Sequence, residues 1–491
     1  MTRSGLLQSL RETRPRHALG FLLAAAFWLA YSAAPEGVET DFWWHLKAGQ
    51  LLLAGHAPFT TDPFSWTAAG RPWIQHEWLG EAILAAVYQV GGEPGVHSAY
   101  RVLLFLSFLL VAGTFRVLGC NLAVAGLGAL LVHLHLYAQL WPRMQGFTLV
   151  GMAATCLLLA WRWTGSRSGW AVWAYPLGVA LWANLHAGVI AGPLSCSFAL
   201  LPELARLRRP EDRPAVLAFA AMTGLAWLSI LANPIGWDLV RFILATLTDP
   251  EYRAFYAMTA EWGPFRLDYA TCQYFLWWGV LILAALAVGG RKAVAPGMLL
   301  LALPWVVMAC YSRRHIPLAA MASAPLAAAL LATAAARYGE VRPRRRRIAT
   351  VTMALAAIAI TVSCALDMAA GPFRTNLAVP SDKALQAALA AAPARRMFNL
   401  YDWGGLLIFH GYPGVRVFID GRQDVYGLEL NMVHHRLMGA APGWREELAA
   451  RGVDMVFAPA WVPLVRQLAS DPAWRVAYAD ATAAVLLKGK N

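Results

Sequence analysis

The chain is poor in charged residues and in cysteine, and both scarcities narrow its class. Only 14% of the 491 residues are charged, whereas 59% are hydrophobic and the mean hydropathy is +0.48. Soluble domains carry about 25% charged residues, so the composition excludes an ordinary soluble enzyme. The six cysteines all lie in or beside apolar runs, at Cys120, Cys156, Cys196, Cys272, Cys310 and Cys364. That placement excludes a disulfide framework in the polar segments.

Sequence signatures of nucleotide and metal binding are also missing. The chain has no GxxxxGK[ST] motif, no GxGxxG after a strand-like run and no CxxC pair. It has no internal repeat with a period of roughly 20–50 residues either. These absences argue against ATP-driven transport within this chain and against a cysteine-based metal or redox site.

Apolar runs near the roughly 20 residues that cross a bilayer recur through the first three quarters of the chain. They predict about eleven transmembrane helices within a membrane domain of residues 1–370. The predicted spans lie near 18–35, 98–115, 121–140, 147–163, 169–184, 187–204, 214–232, 271–288, 293–310, 315–335 and 348–369.

Arginine placement predicts the orientation of these spans, because cytoplasmic loops collect basic residues. If the N-terminus is cytoplasmic, the basic clusters of alternate loops all fall on the cytoplasmic side, up to the run Arg344–Arg347. The formal charge of +13 then reflects topology and not nucleic-acid binding. Residues 1–34 also have the pattern of a cleavable signal peptide, but the continuing alternation favours an uncleaved anchor in a bacterial inner membrane.

The final segment, 371–491, has no membrane-length apolar run and falls outside the cytoplasm in this topology. Strand-like runs at 415–419, 453–457 and 483–487 alternate with helical patterns near 381–392, 426–438, 443–451 and 461–469. The pattern predicts a small extracytoplasmic α/β domain after an α-helical polytopic membrane domain.

The predicted outside loops carry polar side chains beside the membrane. The first such loop, 36–96, contains Glu39, Asp41, His45, His76 and Glu77, and later loops contain Arg143, Asn184, His186, Asn233, Glu261, Arg313 and Arg314. Any one of them could be a helix cap or an interfacial anchor. For Asp41 a functional role is favoured. Placing a carboxylate beside Trp43 and Trp44 at a membrane is energetically unfavourable, and such residues are usually kept for a function.

A lipid-linked phosphate donor would need this set of groups. Arginines would neutralise the departing phosphate, and a carboxylate would accept the proton of an acceptor hydroxyl or hold Mg²⁺ or Mn²⁺. Because nucleotide sugars are not available outside the cytoplasm, the donor would be a polyprenyl-linked sugar.

Three segments resemble one family of membrane enzymes. The run Glu39–Lys47, which reads ETDFWWHLK, is similar to the first-loop motif of the catalytic subunit of oligosaccharyltransferase, a GT-C glycosyltransferase. The run 400–405 (LYDWGG) resembles that family's acceptor-recognition motif, and Asp420-Gly421-Arg422 follows at a similar distance. The whole chain further resembles a group of uncharacterised bacterial polytopic membrane proteins. The second outside loop reads Pro142-Arg143-Met144-Gln145 where the family has Asp-x-Asp, so a full metal site is not carried over. In the run 400–405, Tyr401 and Trp403 replace the family's Trp and Tyr and Gly405 extends the motif, so sequon recognition is not carried over either.

Together, the chemistry and the resemblance predict a GT-C glycosyltransferase that moves a sugar or oligosaccharide from a polyprenyl-phosphate carrier to a glycan, lipid or protein acceptor. Asp41, also a possible metal ligand, and Glu261 would be catalytic. Arg143, Arg313, Arg314 and His45 would bind the donor phosphate, and Asp402, Trp403, Asp420 and Arg422 would lie on the acceptor side. Two alternatives remain: a transporter or flippase using His133 and His135, and a non-catalytic assembly partner with the same fold.

Overall fold

A computed structural model describes residues 14–33, 38–165, 171–256, 260–369 and 379–489. The chain forms two compact units, each built from segments distant in sequence. Unit 1 comprises Met1–Gly37, Pro94–Gly236 and Thr259–Pro372. Unit 2 comprises Val38–Glu93, Trp237–Met258 and Phe373–Asn491, so the predicted first loop and the predicted C-terminal domain belong to the same unit.

Helices account for nearly all of the regular structure before residue 370. They are α1 (Pro15–Ser32), α2 (Phe42–Leu53), α3 (Trp78–Val117), α4 (Leu122–His133), α5 (Gln145–Trp163), α6 (Ala171–Leu185), α7 (Ala191–Leu200), α8 (Arg213–Ser229), α9 (Trp237–Thr248), α10 (Pro250–Tyr256), α11 (Ala270–Gly289), α12 (Pro296–Tyr311), α13 (Ile316–Ala336) and α14 (Pro343–Ala369).

Six helical stretches of the described residues are long and apolar enough to cross a membrane. They are Trp78–Val117, Gln145–Trp163, Ala187–Arg208, Ala270–Gly289, Arg313–Ala336 and Pro343–Leu366. Shorter apolar helices lie at Leu122–Leu136, Arg213–Ser229 and Pro296–Tyr311. The multi-pass character is confirmed, whereas the count of about eleven spans is not.

Small residues allow the helices of unit 1 to pack closely. Helix α13 is rich in alanine and is buried along most of its length. A Cβ added to Gly289 of α11 would lie 2.8 Å from the carbonyl oxygen of Leu330 in α13. Close backbone approach at small residues is the usual way in which membrane helices associate.

Helix α3 is interrupted where the two units divide. Gly92 has φ 58° and ψ −158°, outside the helical region, and Pro94 follows two residues later. Proline removes a backbone donor and clashes with the preceding turn, and glycine tolerates positive φ at low cost. The unit boundary falls between Glu93 and Pro94.

Unit 2 contains a four-stranded sheet of order β1-β2-β4-β3, formed by β1 (Met397–Asn399), β2 (Met455–Pro459), β3 (Trp474–Ala479) and β4 (Ala483–Lys488). Strands β1 and β2 are parallel, while β4 is antiparallel to β2 and β3. The accompanying helices are α15 (Asp382–Ala391), α16 (Gly404–Gly411), α17 (Gln423–Met438), α18 (Trp444–Ala450) and α19 (Pro463–Ala469). The small α/β character expected of the C-terminal segment is confirmed.

The strand predicted at 415–419 is wrong, because this segment pairs with the first loop and not with the sheet. Val417 forms an isolated bridge with Ser65. The Val417 amide donates to the Phe64 carbonyl at 3.1 Å, and the Trp66 amide donates to the Val417 carbonyl at 3.0 Å. Phe64 and Val417 are fully buried in the same apolar core. The first loop is thus an integral layer of unit 2.

Candidate functional site

Asp41 lies at the start of α2, where an aspartate often caps a helix through its side chain. Here the carboxylate makes no capping hydrogen bond. Its Oδ1 instead accepts a hydrogen bond from Trp44 Nε1 at 3.0 Å. A Cβ added to Gly421 would lie 1.5 Å from the same Oδ1, so the carboxylate packs directly against the Gly421 backbone. The structural alternative of a plain helix cap is therefore not realised at Asp41.

The two glycines of the DWGG motif bring its helix against the segments that flank Asp41. A Cβ added to Gly405 would lie 2.7 Å from the Thr40 carbonyl oxygen. A Cβ added to Gly404 would lie 2.3 Å from the Ile419 carbonyl oxygen. Both contacts are possible only without a side chain. The three motifs singled out in the sequence therefore meet within unit 2.

Asp402 and Tyr401 lie in the 3₁₀ turn Tyr401–Trp403 that leads into α16. Burial, together with repulsion from Asp41, raises the pKa of the Asp402 carboxyl to about 6. The Tyr401 hydroxyl donates to the Gly421 carbonyl oxygen at 3.1 Å. Trp403 is buried against Phe457, with ring centroids 4.6 Å apart. Asp402 is thus a carboxyl that changes protonation near pH 6, because it is buried and lies close to the charge of Asp41.

A second group of polar side chains lies on the next turn of α2 and at the start of α3. His45 Nδ1 is 2.8 Å from Glu81 Oε1, and His45 Nε2 is 3.4 Å from Glu77 Oε2. His76 Nε2 lies 3.5 Å from the other Glu77 oxygen, and its ring stacks on Phe242. Carboxylate and imidazole groups therefore alternate in a chain of contacts, in the order Glu81, His45, Glu77 and His76.

This group fits a divalent cation. Among the described residues, His45, Glu77 and Glu81 each offer a ligand atom, and the three atoms lie within 4.8 Å of one another. Burial lowers the pKa of His45, but the hydrogen bond to Glu81 and the charges of Glu77, Glu81 and Asp41 outweigh it and raise the pKa. A mixed imidazole and carboxylate set suits Zn²⁺ or Mn²⁺ better than Mg²⁺.

Asp420 and Arg422 form a buried charge network and do not face solvent. Arg422 Nη2 and Nε donate to the two oxygens of Asp420 at 2.6 and 2.8 Å, and Nη1 lies 2.7 Å from Asp62 Oδ1. The Tyr426 hydroxyl also donates to Asp420. The Arg422 guanidinium lies over the rings of Phe64 and Trp73, at 4.9 and 4.6 Å. Asp420 and Arg422 are the chain neighbours of Gly421, so this network fixes the backbone on both sides of that glycine.

The predicted phosphate-binding arginines lie in unit 1. Arg143 Nη1 is 3.0 Å from Glu261 Oε2, and Arg314 pairs with the other oxygen of the same carboxylate. Burial alone would raise the pKa of Glu261, but Arg314 and Arg143 lower it to about 2. Arg313 lies over the ring of Tyr269 at 3.4 Å. Arg143, Arg314 and Glu261 thus form one cluster with a net positive charge.

The remaining predicted polar residues stabilise turns. The Asn233 side chain accepts from the amides of Ile235 and Gly236 at 2.8 Å, and Asn184 Nδ2 donates to the Ala232 carbonyl at 2.7 Å. His186 Nδ1 accepts from the Gly188 amide and contacts Thr148, both at 2.8 Å. The Glu39 carbonyl accepts from the Phe42 amide at 3.1 Å, where α2 begins.

Sequence reasoning did not single out Glu81, Asp62 or Tyr401 as site residues. Glu81 follows Glu77 by four residues, and the Glu81 amide donates to the Glu77 carbonyl, so both side chains lie on one helical face. That spacing was a usable signal. Asp62 has no such signal, because its partner Arg422 is 360 residues away along the chain.

The chain resembles solved structures of membrane glycosyltransferases. Mycobacterial arabinofuranosyltransferase AftD matches with a TM-score of 0.60 and 16% identity, over 98% of this chain and 40% of that one. The Archaeoglobus fulgidus oligosaccharyltransferase AglB, solved with an inhibitory peptide and a dolichol-phosphate, matches with a TM-score of 0.58 and 14% identity, over 91% of this chain and 69% of that one. A second AglB structure, with Zn and sulfate, matches at 0.54 and 13%, over 90% and 68%.

This chain thus spans well under half the length of AftD. No family model and no curated protein matches it. At such identities the likeness concerns the fold, and the chain shares the fold of the GT-C superfamily of membrane glycosyltransferases.

Proposed function

We propose that this protein transfers a sugar or oligosaccharide from a polyprenyl-phosphate-linked donor to an acceptor on the outer side of the membrane. The observation that carries the proposal is the assembly of Asp41, Asp402 and Gly421 within unit 2. These residues come from the three motifs whose sequence resembles oligosaccharyltransferase. The GT-C fold of AftD and AglB supports the same reaction class.

In the proposed reaction, an acceptor hydroxyl oxygen attacks the anomeric carbon of the donor sugar. The bond between that carbon and the phosphate oxygen breaks, and the phosphate keeps the electron pair. The hydroxyl proton passes to a carboxylate of the Asp41 and Asp402 pair. A general base is most effective when its pKa is raised toward neutrality and it is still ionised, and the pKa of Asp402, about 6, leaves its carboxyl mostly ionised at pH 7. Asp420 and Arg422 position Gly421 from their buried sites and do not contact the acceptor.

The cluster of Arg143, Arg314 and Glu261 in unit 1, with Arg313 beside it, is assigned to the donor phosphate. Glu261 spaces the two guanidinium groups, and its carboxylate neutralises only one of their two charges. Guanidinium groups bind phosphate oxygens in a bidentate fork. Glu261 therefore acts in this proposal as a positioning residue for the arginines and not as a second base.

A divalent cation is assigned to His45, Glu77 and Glu81. His45 faces two carboxylates, which would repel a phosphate, so we reassign it from donor binding to cation binding. When bound, such a cation would supply positive charge that stabilises an oxyanion. The imidazole favours Zn²⁺ over Mg²⁺, and the two carboxylates are ligands that Zn²⁺ and Mn²⁺ both accept.

The test is transfer and donor binding by purified protein supplied with a polyprenyl-phosphate-linked sugar. Asp41→Asn is expected to lower transfer by about 100-fold or more while leaving donor affinity unchanged. Arg313→Lys/Arg314→Lys is expected to weaken donor binding, since lysine keeps the charge but loses the fork. Asp238→Asn, which alters an exposed carboxylate of unit 2, is the control. Full transfer by Asp41→Asn would refute the proposal.

The transporter alternative requires ionisable groups available in the membrane region. His133 and His135 are fully buried, and their Nδ1 atoms contact the carbonyl oxygens of Ala129 and Leu131 at 2.8 Å. His133 Nε2 also contacts Ser107 Oγ at 2.7 Å. Such contacts are typical of core histidines, so these residues give the transporter reading little support.

A further inference from the structure

A groove of about 870 Å³ lies in unit 1 where α11, the end of α13 and the start of α14 come together. Its walls are apolar, with Leu283 and Ala287 on α11 and Ile348 on α14. Its rim is basic and carries Arg337, Arg342, Arg344 and Arg345, with Glu340 as the one acidic lining residue. None of these residues belongs to the site described above.

The rim holds more positive charge than the neighbouring described residues neutralise. Arg337 is already engaged, because its Nη1 donates to the Gly289 carbonyl at 3.1 Å and its Nε lies 3.6 Å from Glu340. Arg342, Arg344 and Arg345 are exposed, and no acidic side chain in the described part of the chain forms an ion pair with them. They therefore repel one another without compensation.

The position of this charge on α14 is also unfavourable without a partner. The N-terminus of a helix carries a partial positive charge and stabilises anions. The first turn of α14 holds no acidic residue, whereas residues 344–347 are all arginine. An anion at the rim would relieve both the repulsion among the guanidinium groups and their conflict with the helix dipole.

The walls distinguish a lipid from a free anion. Leu283 and Ile348 are 65% and 58% exposed, respectively, and both helices belong to the candidate membrane spans. A free phosphate would use only the rim and leave this apolar surface uncovered. An amphiphile with an anionic headgroup and hydrocarbon tails would occupy both parts.

We propose that this groove binds an anionic phospholipid, with the headgroup phosphate on Arg342, Arg344 and Arg345 and an acyl chain along the apolar groove that α11 and α14 line together. The inference is independent of the proposed sugar transfer. In the predicted topology this rim lies on the cytoplasmic side, where anionic lipids attract basic groups near helix ends.

Neighbouring arginines of the same run provide a matched control. Arg346 contacts Tyr338 through a hydrogen bond to its carbonyl at 3.3 Å and through its ring at 4.7 Å. Arg347 is exposed, and neither residue lines the groove. Arg346→Gln/Arg347→Gln therefore removes the same charge from the same helical turn as Arg344→Gln/Arg345→Gln, but not from the groove.

The experiment is native mass spectrometry of the full chain in mild detergent, titrated with phosphatidylglycerol or with zwitterionic phosphatidylcholine. We expect one phosphatidylglycerol to be retained, with affinity at least about tenfold above that for phosphatidylcholine. Arg344→Gln/Arg345→Gln should lower that affinity about tenfold, and the control double variant should change it by less than about twofold. Ala287→Trp, which fills the groove without changing charge, should lower it as well.

Three results would overturn the proposal. The first is equal affinity of the wild-type chain for the two lipids, which requires no variant to fold. The second is an equal loss in both arginine double variants, which would indicate general surface attraction. The third is unchanged binding in Ala287→Trp together with full displacement by millimolar inorganic phosphate, which would indicate a free-anion site at the rim.

Discussion

At the scale of single residues, the charge of Asp41 influences the protonation of Asp402, a carboxyl that is far from it in sequence. The Asp402 carboxyl is partly buried, and Asp41 repels its charged form, so its pKa rises from 3.8 to about 6. Because the pKa is raised by folding, the protonated form is favoured in the folded state. The stability that this proton contributes is fully present below about pH 4 and is lost as the pH rises through about 6.

The rate of transfer should therefore rise with pH and show an apparent pKa near 6, because the pair of Asp41 and Asp402 is ready to accept a proton only when Asp402 is ionised. In Asp402→Asn the maximal rate should fall, and the rise of the rate with pH around pH 6 should disappear. The variant should melt no lower than wild type at pH 7, since its amide resembles the protonated form. Rates measured between pH 5 and 8, with melting curves, provide the check. If the rate of Asp402→Asn still rises with pH around pH 6, Asp402 has no part in the mechanism.

Gly421 is required because its missing side chain leaves room for the Asp41 carboxylate. Gly421→Ala would place a methyl group 1.5 Å from the present position of Asp41 Oδ1, so the carboxylate must move. We expect transfer to fall by about 100-fold, as expected when a catalytic group is displaced. Gly439→Ala is the control, because a Cβ there meets nothing closer than 3.5 Å. Equal activity of the two variants would show that the position of Asp41 is not critical.

At the scale of elements, the sequence predicted individual helices and strands better than it predicted which segments pair with each other. The helices near 381–392, 426–438, 443–451 and 461–469 and the strands at β2 and β4 follow from periodicity. The run 415–419 has the alternation of a strand, but its partner is the first loop, through Ser65. Periodicity reports which face is buried and not what covers it. The same limit applies to Asp41 and Gly421, whose contact depends on the fold of unit 2.

The network of Asp62, Asp420 and Arg422 should be a major source of stability for the first loop. Arg422→Met would leave two carboxylates buried without a cation, and breaking a buried ion pair by removing one partner costs about 3–5 kcal/mol. We expect a correspondingly large drop in melting temperature. Arg266→Met, which breaks an exposed pair with Asp268, should change stability by less than about 1 kcal/mol. Similar melting curves for the two variants would show that the buried network is not stabilising.

At the scale of the whole molecule, composition predicted a multi-pass membrane protein and the motifs predicted a GT-C fold, and the structure has both features. Composition could not give the number of spans, because several apolar helices are shorter than a bilayer requires. Composition could not predict the division of the chain into two units either. Residues 38–93 and 373–491 are separated by most of the membrane helices in sequence, yet they share one apolar core. Such long-range association leaves no periodic signal in either segment.

Orientation remains the broadest prediction, and it rests on the alternation of arginine clusters. An alkaline phosphatase reporter, active only outside the cytoplasm, should be active when fused after Asn491. The same reporter fused after Arg209, within a predicted cytoplasmic cluster, should be inactive, and a cytoplasm-only fluorescent reporter should give the opposite pattern. A cytoplasmic C-terminus would place Asp41 and Asp402 among nucleotide sugars. The argument for a polyprenyl-linked donor would then fail, although the fold and the contacts within unit 2 would stand.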